Sequence, residues 1–279
     1  MKENKIIIGS HVEFKAPDYL FGAAKTSYNN KANAMMIYLG APQNSKRVNV
    51  SKYKIEEYKR DFEKIIVPEN IIVHAPYITN CANPDKFDFA TDFLIEEIRR
   101  MSFFGAKYLV LHPGAFTTFS KEIAYEILEK ALIKILDQTE NVVIALETMS
   151  GKGTEIGTKI NELTNLIEKI KSPRLALCLD TCHVWDAGYD IKNLEVFINH
   201  LEEIDALKYI KVIHLNDSKN DIFSKKDRHE NIGKGFIGFE TLQKIVFHEK
   251  FKNIPIILET PWVENIPIYD KEIKLLLGQ

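Results

Sequence analysis

Residues 209–238 read YIKVIHLNDSKNDIFSKKDRHENIGKGFIG. The stretch opens as a short β-branched run, reaches His214 at its end and gives way to a long polar segment. That is the layout of a buried strand delivering a side chain to the edge of a sheet. Within the polar segment Asp227 and His229 stand two apart; an extended backbone would point both to one side and Arg228 to the other. An oxygen and a nitrogen ligand at that spacing suit zinc, and the opposed guanidinium could meet a phosphate. Alone, the stretch reads first as a charged surface loop, since Lys219, Lys225, Lys226 and Lys234 are ordinary solvated charge.

Outward from this stretch the same layout recurs. Aliphatic or β-branched runs lie at 6–8, 34–39, 71–73, 108–111, 142–146, 175–179, 209–213 and 256–258. They are nearly continuous rather than alternating, as parallel strands covered on both faces require. Helical stripes lie between them: Ile55, Tyr58, Phe62, Ile65 and Ile66 after a Ser51 N-cap; Ile156, Ile160, Leu163, Ile167 and Ile170 after Thr154; Leu194, Phe197, Ile198 and Leu201; and a helix from near Asp88 closed by Gly105. Eight βα units predict an α/β fold, a single-domain TIM (β/α)8 barrel over residues 1–279. A doubly wound open sheet is disfavoured because Gly9-Ser10-His11 is no glycine-rich phosphate loop, and a helical solenoid because every unit carries a strand. The longer loops, 40–52, 75–86, 148–155 and 216–238, all follow strands and so fall on the C-terminal face, where barrel enzymes build their sites.

With 279 residues, 45% of them hydrophobic, the chain can bury one large core. The charged start and the three isoleucines before Gly9 fall short of a signal-peptide core, and no apolar run approaches membrane-spanning length; a soluble, cytoplasmic monomer is the expectation. Cys81, Cys178 and Cys182 are too few and too oddly spaced for a disulfide framework and read as small buried thiols, the latter two on a strand. A net charge of −2 and a pI near 6.5 exclude a protein that coats nucleic acid by bulk charge, so an anionic partner must be held locally.

The decisive pattern is at the ends of the runs. The third ends in His74, the fourth in His112, the fifth in Glu147, the sixth in Asp180, the seventh in His214 and the eighth in Glu259; His183 follows Asp180 by three, and the loop adds Asp227 and His229. A lone histidine there is usually a wall residue and a lone carboxylate a helix cap, but nine such coincidences at one barrel mouth are improbable. Five of the eight histidines fall in this set; His200 and His248 read as surface residues, and His11 as a second partner behind the ligands or a structural residue. One catalytic zinc typically takes three protein ligands, so nine suit two or three ions, with Glu147 placed to bridge two of them. Glu147, Asp180, Asp227 and Glu259 bring −4 against +6 from three Zn²⁺, and the resulting +2 mouth favours a phosphodiester.

These residues sit in HAPYITN from His74, in LCLDTCH from Leu177 continued by AGYD from Ala187, and in HLNDSKN followed by KDRHENIGKGFIG. Over essentially the whole chain they resemble endonuclease IV, the zinc-dependent apurinic/apyrimidinic endonuclease family. The resemblance implies three zinc ions, with manganese able to replace one. His74 and His112 would hold the first, Asp180, His214 and Glu259 the second, with Glu147 bridging, and His183, Asp227 and His229 the third. It implies double-stranded DNA with abasic sites as partner, a flipped-out abasic nucleotide, and Tyr77 and the loop around Gln43 entering the stack. The family's inserted arginine has no single counterpart in residues 41–47, APQNSKR: Asn44 stands at its place, with Lys46 and Arg47 as substitutes.

The implied reaction is metal-assisted hydrolysis 5′ to the abasic site, leaving a 3′-hydroxyl and a 5′-deoxyribose phosphate. Glu147 and Glu259 are its catalytic carboxylates, the latter orienting or deprotonating the nucleophile. Asn216 and Arg228 are candidate phosphate contacts. A metal-dependent sugar isomerase or epimerase on the same barrel is the alternative, and a non-catalytic sensor of DNA damage is the third reading.

Overall fold

The computed structural model describes residues 6–279, so the charged opening of the chain lies outside the described residues. Ten strands occur in chain order: β1 (Ile8–His11), β2 (Ala34–Ile37), β3 (Ile71–His74), β4 (Tyr108–Leu111), β5 (Val143–Glu147), β6 (Leu175–Asp180), β7 (Ile210–His214), β8 (Asp217–Ser218), β9 (His229–Glu230) and β10 (Ile256–Leu258). β1 to β7 and β10 pair in parallel and close into a barrel in chain order, β10 returning to β1 through Ile8↔Ile256 and Ser10↔Leu258. The predicted TIM barrel is the observed architecture. β1 begins two residues later than its apolar run, with Ile7 accepting the Ile256 N–H just ahead of it.

Around the barrel run α1 (Tyr19–Asn29), α2 (Ile55–Asp61), α3 (Phe87–Ser102), α4 (Lys121–Asp137), α5 (Ile160–Ile170), α6 (Thr181–Ala187), α7 (Leu194–Glu203), α8 (Phe239–Phe247) and α9 (Tyr269–Leu277). Two expected caps are corrected. Ser51 lies in a 3₁₀ turn capped by Asn49, and α2 starts three residues later behind Lys54, whose φ of 56° turns the chain instead. Thr154 caps nothing: its hydroxyl accepts the Thr117 N–H, and α5 begins after Lys159. Gly105 ends its helix as expected, its N–H donating to Met101 O from φ +76°. No helix among the described residues is long and apolar enough to cross a membrane.

Strand periodicity positions the site. Side chains alternate faces along a strand, and the barrel interior is filled by Ala34, Met36, Ile72, Val110, Ala145, Ala176, Cys178, Val212 and Ile257. Two residues further on stand His74 after Ile72, His112 after Val110, Glu147 after Ala145, Asp180 after Cys178, His214 after Val212 and Glu259 after Ile257. Each polar residue therefore continues an inward-facing rank and caps the apolar plug. Tyr38 after Met36 and His11 at the end of β1 complete the rank. β1 carries Gly9 there because a Cβ would lie 2.0 Å from Ala34 O on β2. The antiparallel ribbon β8–β9, pairing Ser218 with His229, folds the long loop back over the mouth.

Candidate metal centre

Glu147 is the hub. Its Oε2 stands 3.2 Å from His74 Nε2 and 3.0 Å from His112 Nε2, and its Oε1 stands 3.0 Å from His214 Nδ1 and 3.4 Å from His183 Nδ1. His214 Nδ1 also faces Glu259 Oε2 at 2.9 Å and Asp180 Oδ2 at 3.9 Å. On the loop side, His183 Nε2 lies 3.1 Å and His229 Nε2 3.7 Å from Asp227 Oδ1, with His229 Nε2 3.8 Å from Asp180 Oδ2. All nine strand-end and loop residues expected at the mouth meet there.

The donor set fits cations. His74 Nδ1 lies 2.7 Å from Ala75 O, His183 Nδ1 2.9 Å from Thr148 O and His229 Nδ1 3.3 Å from Glu259 O. A carbonyl only accepts, so these Nδ1 atoms carry a proton and each Nε2 is the nitrogen left to offer a lone pair to a cation. For His74 that lone pair faces a carboxylate oxygen, an arrangement that needs a cation or a second proton between them. His229 Nε2, which faces Asp180 and Asp227, is buried with no hydrogen-bond partner. Ligand atoms about 2.0–2.2 Å from a tetrahedrally held ion stand roughly 3.3–3.6 Å apart, close to the separations found here. Sets whose ligand atoms lie within 4.8 Å of one another include His74, His112 and Glu147; Glu147, Asp180, His214 and Glu259; and Asp180, His183 and His229. Asp180 thus stands beside the third pocket as well as the second.

Without cations, protons hold the cluster together. Burial disfavours the charged carboxylate of Glu147, yet His214 and His112 hold its pKa well below the ordinary range. Burial likewise opposes charge on His183, but Asp180, Asp227 and Glu147 raise it well above an ordinary histidine. For His214 burial pulls down, and the Cys178 sulfur, Glu259 and Glu147 pull up. Burial pushes the Cys178 thiol to about 12, so it is protonated at neutral pH and the two carboxylates keep the proton on His214. Despite burial, Asp227 beside His183 and Glu259 beside His214 are held below the carboxylate range. Burial opposes charge on His112 as well, but Glu147 beside it raises its pKa above that of an ordinary histidine. Metal uptake by the stripped protein is therefore expected to release two to about three protons per chain at neutral pH, from His183, His214 and His112. Apparent affinity should rise with pH until it passes their raised pKa values. Calorimetry in buffers of different ionisation heat measures this; uptake without proton release would contradict it.

The remaining expected residues divide. Tyr77, 61% exposed, and Gln43 line a cleft of about 520 Å³ with Tyr38, His229 and Glu259. Arg228 is exposed on the loop, its guanidinium donating only to Asp227 O at 3.4 Å. Asn216 is corrected: it is fully buried, its Nδ2 donating to Asp180 Oδ2 at 2.8 Å and its Oδ1 accepting the Glu259 N–H at 2.9 Å. It orients the Asp180 carboxylate and ties down the Glu259 backbone, and its burial keeps it from a DNA phosphate. Asp227 and His229 do face one site, but not through an extended segment, since Asp227 has φ 52°. Arg47 cannot enter DNA, because its side chain is 3% exposed and locked to Glu97. The three cysteines are buried and unpaired; Cys178 is on β6, while Cys182 sits in α6 rather than on a strand. Tyr38, Thr148 and Asp186 were not anticipated. The position of Tyr38 two beyond Met36 and of Asp186 three beyond His183 are the signals that could have found two of them.

The xylose isomerase-like TIM barrel family model matches residues 28–278. Proteins named probable endonuclease 4 from Mesomycoplasma hyopneumoniae strain 7448 and Mycoplasmopsis synoviae strain 53 are each 58% identical, across 98% of this chain and 99% of their own. The crystal structure of endonuclease IV from Thermus thermophilus superposes with a TM-score of 0.85 at 24% identity over 97% of both chains. A D-tagatose 3-epimerase-like protein superposes at 0.72 with 20% identity over 97% of this chain and 96% of its own, which is likeness of fold. Similarity of this depth along the whole length places the chain in the endonuclease IV family, within the xylose isomerase-like TIM barrels.

Proposed function

We propose that this chain is an apurinic/apyrimidinic endonuclease of DNA repair. It hydrolyses the phosphodiester 5′ to an abasic site in double-stranded DNA and leaves a 3′-hydroxyl and a 5′-deoxyribose phosphate. The observation that carries the reading is Glu147, buried at the barrel axis with two histidines on each carboxylate oxygen. The names of the whole-length relatives support the same assignment.

His74 and His112 would hold one zinc, Asp180, His214 and Glu259 a second, and His183, Asp227 and His229 a third, Glu147 bridging the first two; one position could take manganese. Bound there, the ions supply positive charge for a phosphodiester and acidify water. The protein's own part is placement. Glu259 is 18% exposed against 1% for Glu147, so of the two it is the carboxylate that reaches the cleft, where it orients the attacking water. Glu147 stays behind as a fixed bridge. Tyr77 and Gln43 face the DNA beside the cleft, and Arg228 meets a backbone phosphate. An abasic nucleotide has no base to unpair, so turning it into the cleft costs less than the few kcal/mol of an intact one, giving discrimination without base readout. The protein would act as a monomer.

A duplex carrying one abasic analogue tests this. The loaded protein should nick it 5′ to the analogue, hold about three zinc per chain by elemental analysis, and lose nicking after prolonged chelation. Turnover of a ketose without nicking would establish the epimerase alternative. Binding without cleavage would establish the sensor.

A further inference from the structure

The loop that carries Asp227 has an unusual backbone. Phe223, Lys225 and Asp227 have φ of 66°, 56° and 52°, a left-handed conformation that side chains with a Cβ rarely adopt. Alternating residues in this state persist only where their surroundings dictate it. The dictating groups come from α6. The Phe223 N–H donates to Trp185 O at 3.1 Å, Trp185 Nε1 donates to Asn220 O at 3.0 Å, and the Lys225 N–H donates to Asp186 O at 3.1 Å. The Asp186 carboxylate takes the rest: Oδ2 accepts the N–H groups of Lys226 at 3.2 Å and Asp227 at 2.8 Å, and Oδ1 accepts Ser218 Oγ at 2.8 Å. Asp186 is fully buried. It lies one helical turn beyond His183, whose Nε2 faces the Asp227 carboxylate. One turn of α6 therefore holds the backbone of Asp227 with one side chain and meets its carboxylate with another.

We infer that Asp186 is a positioning residue for the third cation pocket: by gripping the Lys226 and Asp227 amides it sets where the Asp227 carboxylate stands relative to His183 and His229. The inference rests on the reading of the metal centre above. It concerns geometry and not charge. An asparagine at 186 can still accept both amides on its oxygen while its Nδ2 donates to Ser218 Oγ; an alanine can do neither.

The test uses metal-free protein and Zn²⁺ alone, with affinities read by competition against a chelator. Asp186→Ala should weaken one class of zinc site, the class that His229→Ala also weakens, about 10- to 100-fold and leave the others within about threefold, while Asp186→Asn restores the affinity to within about threefold. Unchanged zinc affinity in Asp186→Ala overturns the proposal, as does an Asp186→Asn variant no better than alanine. His229→Ala is the comparator. If it too leaves zinc binding intact, the reading of the metal centre has failed; if it loses one class while Asp186→Ala loses none, only the role of Asp186 has. Amide exchange on the unaltered protein gives a second readout independent of the variants' folding. The Lys226 and Asp227 amides, on an exposed loop, should be protected at least about 10²-fold over free-chain rates, and exchange at free-chain rates overturns the proposal.

Discussion

Glu147→Gln is expected to reduce nicking of an abasic duplex by at least about 10³-fold while leaving a folded barrel. The amide keeps the shape of the carboxylate but offers one oxygen where four imidazoles now share two, and it turns an N–H₂ toward either the His74 and His112 pair or the His214 and His183 pair. One pair must lose its partner. Zinc content should fall with activity, which separates loss of the bridge from loss of a proton acceptor; undiminished nicking would contradict the mechanism. The metal-free variant should also be less stable near neutral pH, because His214 and His112 lose the charge that compensates theirs, a penalty of about 3–5 kcal/mol for breaking a buried pair. The sign follows from the depressed pKa of Glu147. Its stabilisation is present above the ordinary glutamate range and is lost as pH falls through the depressed value, so parent and variant should converge in acid.

Arg47→Ala is expected to have the largest effect on stability away from the mouth. Arg47 Nε lies 2.9 and 3.0 Å from the two oxygens of Glu97 on α3, with side chains 3% and 0% exposed, and the guanidinium stacks 4.8 Å from the Phe93 ring. Its Nη1 also donates to Asn44 O at 3.1 Å and Lys46 O at 2.9 Å, binding residues 44–47 into a knot. Gly40 is part of that knot, since a Cβ there would lie 2.6 Å from Nη1. Burial already raises the Glu97 carboxyl above its usual range with the guanidinium in place. Removing Arg47 leaves that buried carboxylate only Arg100, at 3.9 Å, at a cost of about 3 kcal/mol, or a fall in melting temperature of about 10 °C for a chain this size. The double variant Arg47→Met with Glu97→Leu should lose much less, because it leaves no charge behind. Thermal unfolding of metal-free protein measures both; equal losses would mean that the loop, and not the ion pair, carries the effect.

The barrel was legible because the near-continuous hydrophobicity of parallel strands and the helical stripes between them are local properties. The same regularity made six of the nine mouth residues readable, since each closes an apolar run, as His74 does after Ile71-Ile72-Val73, and so stands at a strand end without any partner. What failed depended on distant partners. Asn216 follows a strand like the ligands do, and only Asp180, 36 residues away, and the Glu259 amide, 43 away, turn it inward. Arg47 reads as a free cation until Glu97 meets it across 50 residues. The left-handed φ of Asp227 cannot be inferred from a sequence without glycine at that point, because its cause is a carboxylate on another element. Ser51 and Thr154 have the right chemistry for caps, but Ser51 lies inside a turn capped by Asn49, and Thr154 is engaged by Thr117, 37 residues away.

The inward rank that runs from apolar plug to polar crown has one more consequence, for how such a chain can change. Adding a single residue inside β3, β5 or β7 would exchange inside for outside from that point on, turning the crown residue toward the encircling helices and a core aliphatic into the cleft. Adding several between α8 and β10, at the end of the barrel away from the cleft, would disturb neither. Length can therefore drift in the connections behind the mouth and hardly at all within the strands, so descendants of this fold can lengthen its underside far more readily than they can move the residues of the cleft.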